Sequence, residues 1–139
     1  MRLEQSGTVD RPVSTVWDFV AVHHVENHPR WDPDVELEAT SSEPLGPGSV
    51  IRRRTHRLGG ATEGTTEITE FAPERRLAVV TRESGTQFPG WIEVAAEGPA
   101  RTRITLGGDM PVDDATAERI RPLMRRSLEN IRALIEAET

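Results

Sequence analysis

Cysteine, tyrosine and lysine are absent from this sequence, and these absences limit what the chain can do. Without cysteine it can form neither a disulfide framework nor a reactive thiolate. All 17 basic residues are arginine, which we interpret as the coding bias of a GC-rich genome. Aromatic residues make up only 4 % of the chain, so the walls of any pocket are expected to be mainly aliphatic and small side chains.

The chain is also poor in positive charge, with a net charge of -6 and a pI near 5.2. A nucleic-acid partner is not expected, because phosphates require a basic surface. Docking on an anionic membrane surface is disfavoured for the same reason. No apolar run approaches membrane-spanning length, and no signal-peptide pattern follows Met1. We therefore expect a cytoplasmic monomer or homodimer without integral membrane association.

The apolar pattern divides the 139 residues into segments of simple order, with no linker or repeat between them. One strand comes first, two short helical segments follow, and six further strands precede a long amphipathic helix. The predicted strands cover residues 3–9, 35–40, 50–58, 61–71, 77–82, 88–96 and 102–110.

Three segments have helical spacing. The first begins near Pro12 and has apolar residues recurring over 13–20, and the second, residues 23–33, is expected to stop at its prolines. The third begins near a capping aspartate, either Asp113 or Asp114. Its apolar stripe consists of Ile120, Leu123, Met124, Leu128, Ile131, Leu134 and Ile135.

This order resembles the helix-grip fold of the START-like (SRPBCC) superfamily, in particular its polyketide cyclase/dehydrase-like family. The stretches that carry the resemblance are VDRPVSTVWDFV (9–20), HPRWDP (28–33) and ITEFAPERRL (68–77). The resemblance implies an α+β fold in which a seven-stranded curved antiparallel sheet wraps around the C-terminal helix. It also implies that residues 1–139 form a single ligand-binding domain with a hollow beneath the sheet.

The pair Gly59-Gly60 predicts a two-residue hairpin turn, and this turn allows the register of its strands to be counted. The counted pairs are Leu58 with Ala61, His56 with Glu63, Arg54 with Thr65, and Arg52 with Glu67. These charged pairs suit a solvent-facing side. The alternation of strand side chains then turns Ile51, Arg53, Thr55 and Arg57 inward, against Ile68, Thr66, Gly64 and Thr62. An inward Arg53 is costly unless it is paired or reached by water.

The strand 88–96 can be counted in two ways. Counting from Gly98-Pro99 places Glu93 opposite Ile104 and Trp91 opposite Leu106, so that Trp91 and Glu93 share the inner face with Arg53. Counting from Ser84-Gly85, with Val79 inward, turns Ile92 and Val94 inward instead. A bulge at Pro89-Gly90 would reconcile the two counts. We favour the first, with Glu93 inward.

Arg53 and Glu93 are the candidate catalytic residues. Arg53 is suited to bind a carbonyl, enolate or carboxylate oxygen, and Glu93 is suited to pair with it or to act as a general base. The alternative is a structural ion pair, or a pair that reaches solvent at the cavity mouth. The candidate ligand-binding residues are Trp31, Ile51, Thr66, Ile68, Val79, Trp91, Ile104, Leu106 and Met124.

His23, His24 and His28 form a further cluster of titratable residues. His24 and His28 have the i, i+4 spacing found in zinc sites, but no third ligand is evident and the pattern lacks the glutamate of H-E-x-x-H. We therefore expect no metal site. Two alternatives are favourable interaction with a helix C-terminus and service as an acid or base in the pocket.

The resemblance implies binding of a small hydrophobic or aromatic molecule. If the protein is an enzyme, it implies cofactor-free cyclisation, dehydration or isomerisation. Family cyclases carry several polar pocket groups, including tyrosine or serine, whereas this chain has no tyrosine and few such groups can be placed inside. One alternative is a non-catalytic carrier or sensor of a lipid-like ligand, with at most one polar anchor in an apolar pocket. Another is an interaction module whose cavity is filled by its own side chains. No cofactor is expected in any of these cases.

Overall fold

The computed structural model describes residues 1–57 and 59–139, and its elements follow the predicted order. The strands are β1 (Arg2–Val9), β2 (Val35–Ala39), β3 (Val50–Arg57), β4 (Gly60–Ala72), β5 (Arg76–Glu83), β6 (Thr86–Ala96) and β7 (Thr102–Asp109). The helices are α1 (Val13–Trp17), α2 (His24–Trp31) and α3 (Asp114–Glu138), with a π-helical turn, Asp18–Val22, between α1 and α2. None of these helices is both long enough and apolar enough to cross a membrane.

The seven strands form one antiparallel sheet with the order β1-β7-β6-β5-β4-β3-β2. The sheet curves around α3, so the predicted helix-grip architecture is confirmed. Asp113 caps α3 by accepting a hydrogen bond from the backbone N–H of Thr116 at 2.8 Å. The helix α2 lies within the predicted segment 23–33. The expectation that Pro29 stops it is wrong, because the helix continues through that residue to Trp31 and ends before Pro33.

The register of β3 and β4 differs by two residues from the predicted pairs. Arg54 pairs with Glu63, and His56 pairs with Ala61. The predicted partner Leu58 lies outside the described residues, and Gly59 has φ +82° in the turn. Because a shift of two residues keeps every side chain on its face, the predicted inward direction of Arg53 is confirmed.

The register of β6 and β7 differs by one residue from the favoured count, and this reverses the faces. Trp91 pairs with Gly107 and Glu93 with Thr105, because the connection is a five-residue loop, 97–101, and not a two-residue turn. The expectation that Glu93 and Trp91 point inward is therefore wrong. The count from Ser84-Gly85 is correct, and the pairing of β5 with β6 is regular past Gly90, so no bulge is needed there.

The concave face of the sheet is filled at one end and open at the other. At the filled end, Trp17 and Val20 from the segment after β1 share one core cluster with Ile51, Ile68 and Ile104. Leu128, Ile131 and Ile135, in the C-terminal half of α3, belong to the same cluster. The hollow lies beside the N-terminal half of α3, so the two short helices determine where it begins.

Candidate functional site

A cavity of about 430 Å³ lies between the open end of the concave face, α2 and the first half of α3. Its size is typical of a small-molecule site. One part of the wall is apolar and includes Val79, Phe88, Leu106, Met110, Ile120 and Met124. Another part is polar and includes His28, Asp32, Arg53, Thr66, Thr81 and Glu83. The arrangement suits an amphipathic molecule.

Arg53 is the more deeply buried of the two arginines that line this cavity, with a side chain only 11 % exposed against 22 % for Arg57. Its Nη1 donates to the hydroxyl oxygens of Thr66 at 3.2 Å and Thr81 at 3.3 Å, and its Nη2 donates to that of Thr55 at 3.3 Å. Burial lowers the pKa of Arg53, and the negative charge of Glu83 opposes that effect. The hydrogen-bond acceptors of the guanidinium are thus neutral hydroxyls at long distances, and it remains able to bind an anionic oxygen.

Glu83, and not Glu93, is the carboxylate nearest this arginine. Its Oε1 lies 3.9 Å from Nε of Arg53, and its Oε2 accepts a 2.7 Å hydrogen bond from Thr62. Glu93 lies on the convex face, 3.1 Å from Arg76. The alternation from Val79 through Thr81 also reaches Glu83, so the correct count of β5 would have found it.

A glycine on β4 allows β4 and β5 to approach each other closely beside Arg53. Gly64 pairs with Arg53, and a Cβ added at Gly64 would lie only 1.9 Å from the carbonyl oxygen of Arg82 on β5. A larger residue would force β4 and β5 apart at this point. The close approach of these two strands beside Arg53 therefore requires glycine.

His24 and His28 are joined in a short chain of hydrogen bonds on the α2 side of the cavity. Nδ1 of His24 lies 2.9 Å from the carbonyl oxygen of Val20, and Nε2 of His24 lies 3.2 Å from Nδ1 of His28. The ring of His28 stacks on that of Trp31, with centroids 5.0 Å apart and an angle of 22° between the planes.

Both imidazoles are neutral at neutral pH. Burial lowers the pKa of His24 to about 4, and nearby Arg53 acts in the same direction. Burial also lowers the pKa of His28 well below its usual value, assisted by His24, Arg53 and Arg57. Their protonation would add charge to a buried site that already contains two arginines.

Four charged side chains form a cluster where α2, β3 and α3 meet. Arg57 Nη2 donates to Asp32, and Arg126 Nη2 lies 3.1 Å from Asp34 and 3.6 Å from Asp32. Nε of Arg57 is buried and has no hydrogen-bond partner within the described part of the chain. The cluster links the three elements at the polar side of the cavity.

Three glycines thin the cavity wall between β6 and β7. Gly90 and Gly108 pair on the inner face, and Gly107 pairs with Trp91 on the convex face. A Cβ at Gly107 would lie 2.1 Å from Nε1 of Trp91, so the indole covers this glycine. The same Nε1 donates to Glu4 at 3.0 Å. Trp91 therefore closes the wall from outside, not from within as expected.

The structure brings most of the predicted binding residues to the cavity and separates a few from it. Those that line it, besides Arg53, are Trp31, Thr66, Val79, Trp91, Leu106 and Met124. Three others, Ile51, Ile68 and Ile104, face inward but lie in the packed core. Their separation follows from the docking of α1 and the π-helical turn, which the strand alternation alone does not reveal.

The prediction omitted Asp32, Glu83 and Arg57 as site residues, although Arg57 had been placed on the inner face. Asp32 follows Trp31 at the end of α2, and no local pattern marks it as a cavity residue. Across residues 1–57 and 59–139, no group of three histidine, aspartate or glutamate side chains is arranged to hold a metal ion.

Solved structures with similar folds cover nearly the whole chain. A START superfamily protein from Mycobacterium smegmatis has a TM-score of 0.77 at 14 % identity, covering 99 % of each chain. The Zhui aromatase/cyclase from Streptomyces sp. R1128 has a TM-score of 0.70 at 18 % identity, covering 98 % of this chain and 93 % of that one. A conserved protein from Geobacillus kaustophilus has a TM-score of 0.79 at 12 % identity, covering 99 % and 96 %.

No curated protein sequence matches this chain. The family model described as "Polyketide cyclase / dehydrase and lipid transport" matches residues 1–136. Family and fold are both consistent with the binding of hydrophobic ligands. The chain belongs to this polyketide cyclase/dehydrase and lipid transport family.

Proposed function

We propose that the chain is a cytoplasmic ligand-binding domain that holds a small hydrophobic or aromatic molecule in its cavity, with a carbonyl, enolate or carboxylate oxygen on Arg53. The observation that carries the proposal is that this guanidinium is buried without a strong hydrogen-bond partner. It is buried, its hydrogen bonds to threonine hydroxyls are 3.2 Å or longer, and its nearest carboxylate atom is 3.9 Å away. A ligand oxygen adds the charge-assisted bond that it lacks.

The apolar wall gives this ligand its second requirement. Val79, Leu106 and Met124 present hydrocarbon surface to the same cavity that contains Arg53. Burying the body of the ligand there contributes about 25 cal/mol for each Å² of apolar surface removed from water. The oxygen then determines the orientation of the ligand, and the body provides most of its affinity.

A cofactor-free cyclase, dehydratase or isomerase is favoured over a passive carrier by the number of polar groups. A carrier is expected to have at most one polar anchor, whereas this cavity contains Arg53, Glu83 and the imidazole of His28. In such an enzyme Arg53 would stabilise an enolate as it forms. The similar fold of an aromatase/cyclase also supports the proposal of an enzyme. An interaction module with a filled cavity is disfavoured by the open volume of about 430 Å³.

The proposal is tested by measuring the affinities of 2-naphthoate and of its neutral analogue 2-acetylnaphthalene. Each affinity is measured by the displacement of a fluorescent naphthalene dye. Arg53→Gln should weaken 2-naphthoate binding about tenfold or more, because a charged hydrogen bond contributes about 1.5–3 kcal/mol. The loss for 2-acetylnaphthalene should be smaller.

Arg52→Gln is the matched control, since Arg52 is the preceding residue on β3 and its side chain is 71 % exposed beside Glu38. It should leave both affinities unchanged. Equal 2-naphthoate affinity in the wild type and in Arg53→Gln would overturn the assignment of Arg53. No binding of either compound to the wild type would overturn the proposed ligand class.

A further inference from the structure

We infer that the His24–His28 pair is a hydroxyl-recognition site, in which Nε2 of His28 accepts a hydrogen bond from an O–H group of the ligand. The inference rests on the proposed function and deepens it. It adds a second polar requirement to the oxygen held by Arg53, so that the bound molecule carries both an oxygen acceptor and a hydroxyl donor.

The hydrogen bonds determine the position of each proton. The carbonyl oxygen of Val20 can only accept, so Nδ1 of His24 carries the proton in the 2.9 Å bond. Neutral His24 then has a lone pair on Nε2, and Nδ1 of His28 must donate to it across 3.2 Å. His28 is left with its remaining lone pair on Nε2.

That lone pair has no protein donor among the described residues. The nearest carboxylate oxygen is Oδ2 of Asp32 at 4.0 Å, beyond hydrogen-bond distance. An ionised carboxylate cannot donate, and Asp32 is held by Arg57. His28 and Asp32 both line the cavity, so Nε2 is an unused acceptor beside the space for the ligand.

The ring that carries this acceptor is held in place. One face of His28 stacks on Trp31, and Nδ1 is bonded to His24. The π-helical turn holds the base of the pair, since the carbonyl of Val20 accepts from His24 and that of Phe19 accepts from Nδ2 of Asn27 at 3.0 Å. π-Helical turns often occur at functional sites. The direction of the lone pair is therefore fixed before a ligand binds.

Burial keeps the acceptor neutral, and the positive charges of Arg53 and Arg57 act in the same direction. Arg53 and Arg57 face it from β3, and Asp32 faces it from the end of α2. Glu83 of β5 accompanies Arg53, and Arg126 of α3 accompanies Asp32. Because the pKa of His28 is held well below its usual value, its imidazole is neutral at neutral pH and favours a neutral O–H donor over a second carboxylate.

The inference is tested with hydroxy-2-naphthoates that carry the hydroxyl at each ring position in turn. The affinity of each isomer is compared with that of its methoxy analogue and with that of 2-naphthoate. At least one isomer should bind the wild type about tenfold more tightly than its methoxy analogue, and the preference should be constant from pH 6 to pH 8. His28→Phe retains a ring against Trp31 and should abolish the preference, so that the hydroxy isomer and its methoxy analogue bind this variant with equal affinity. His23→Phe is the control, because His23 is 56 % exposed and should have no effect.

The failures of the two proposals are distinguishable. Arg53-dependent 2-naphthoate binding without a preference for any hydroxyl isomer overturns the hydroxyl site alone. Nitrogen NMR of the wild type provides a measurement that does not depend on the folding of a variant. A lone-pair signal for Nε2 of His28, moving when the preferred isomer binds, supports the inference. A protonated Nε2 in the free protein overturns it.

Discussion

The two ends of the concave face are built from the same strands and have opposite properties. On β7, Ile104 is 1 % exposed in the packed core, and Leu106, two residues later on the same face, borders the cavity. On β3, Ile51 lies in the core and Arg53 lies in the cavity. Strand alternation therefore selects the face of a residue, whereas the helices docked against that face decide whether the space beside it is filled.

The largest expected effect concerns the stability of the filled end. Ile104→Ala should lower the free energy of unfolding by about 3–4 kcal/mol, because it removes buried methyl groups and leaves a void that the core cannot close. Leu106→Ala, on the same strand and face, should cost about 1–2 kcal/mol, since part of its surroundings is already empty. Urea denaturation of both variants measures the contrast. Equal losses would contradict the division of the face.

The second effect is the pH dependence of stability, which we expect to come from His24 at the open end of the concave face. The folded pKa of His24 is about 4, below its unfolded value of 6.5. The unfolded chain therefore takes up the proton first, and stability falls as the pH is lowered from 7 towards 4. Because one pKa unit corresponds to about 1.4 kcal/mol, this histidine alone accounts for a loss of about 3 kcal/mol.

The pH dependence is measured by urea denaturation between pH 7 and pH 4.5, in the wild type and in His24→Gln. The slope of unfolding free energy against pH should be smaller in the variant, whatever its stability at pH 7. His23→Gln, on the exposed side of the chain, provides the control. An unchanged slope in His24→Gln would show that the loss comes from other groups.

The smallest effect concerns the convex face of the sheet, which lies outside the site. Glu93→Gln removes a half-exposed ion pair with Arg76 and should cost less than about 0.5 kcal/mol. Binding of 2-naphthoate should be unchanged, because Glu93 does not border the cavity. A clear loss of affinity in this variant would return Glu93 to the site.

The sequence was sufficient to predict the order of elements, the inward direction of Arg53 and a capping aspartate at position 113 or 114. The Gly59-Gly60 count was wrong by an even number of residues, so the face of every side chain survived the error. The count from Gly98-Pro99 was wrong by an odd number, because the Glu97 N–H bonds the carbonyl of Arg101 and closes a longer loop. Loop length therefore decided whether Glu93 was placed correctly.

The position of the cavity along the face could not be predicted in the same way. It depends on the insertion of Trp17 and Val20 beneath the sheet, which is a tertiary contact between segments distant in sequence. The histidine pair was visible as an i, i+4 spacing. The tautomers of these histidines could not be predicted, because they depend on the carbonyl of Val20. That carbonyl lies in a π-helical turn that no local sequence pattern indicates.

The three tryptophans lie at different distances from the cavity, and the glycines of the wall bring Trp91 within one layer of backbone of it. Trp31 borders the cavity directly, Trp91 lies behind the backbone of Gly107, and Trp17 is in the filled core. With no tyrosine in the chain, the ultraviolet emission of the protein comes almost wholly from these three indoles. Variants that keep one tryptophan at a time would therefore sense the same bound molecule by contact, through a single layer of backbone, and from the far end of the sheet.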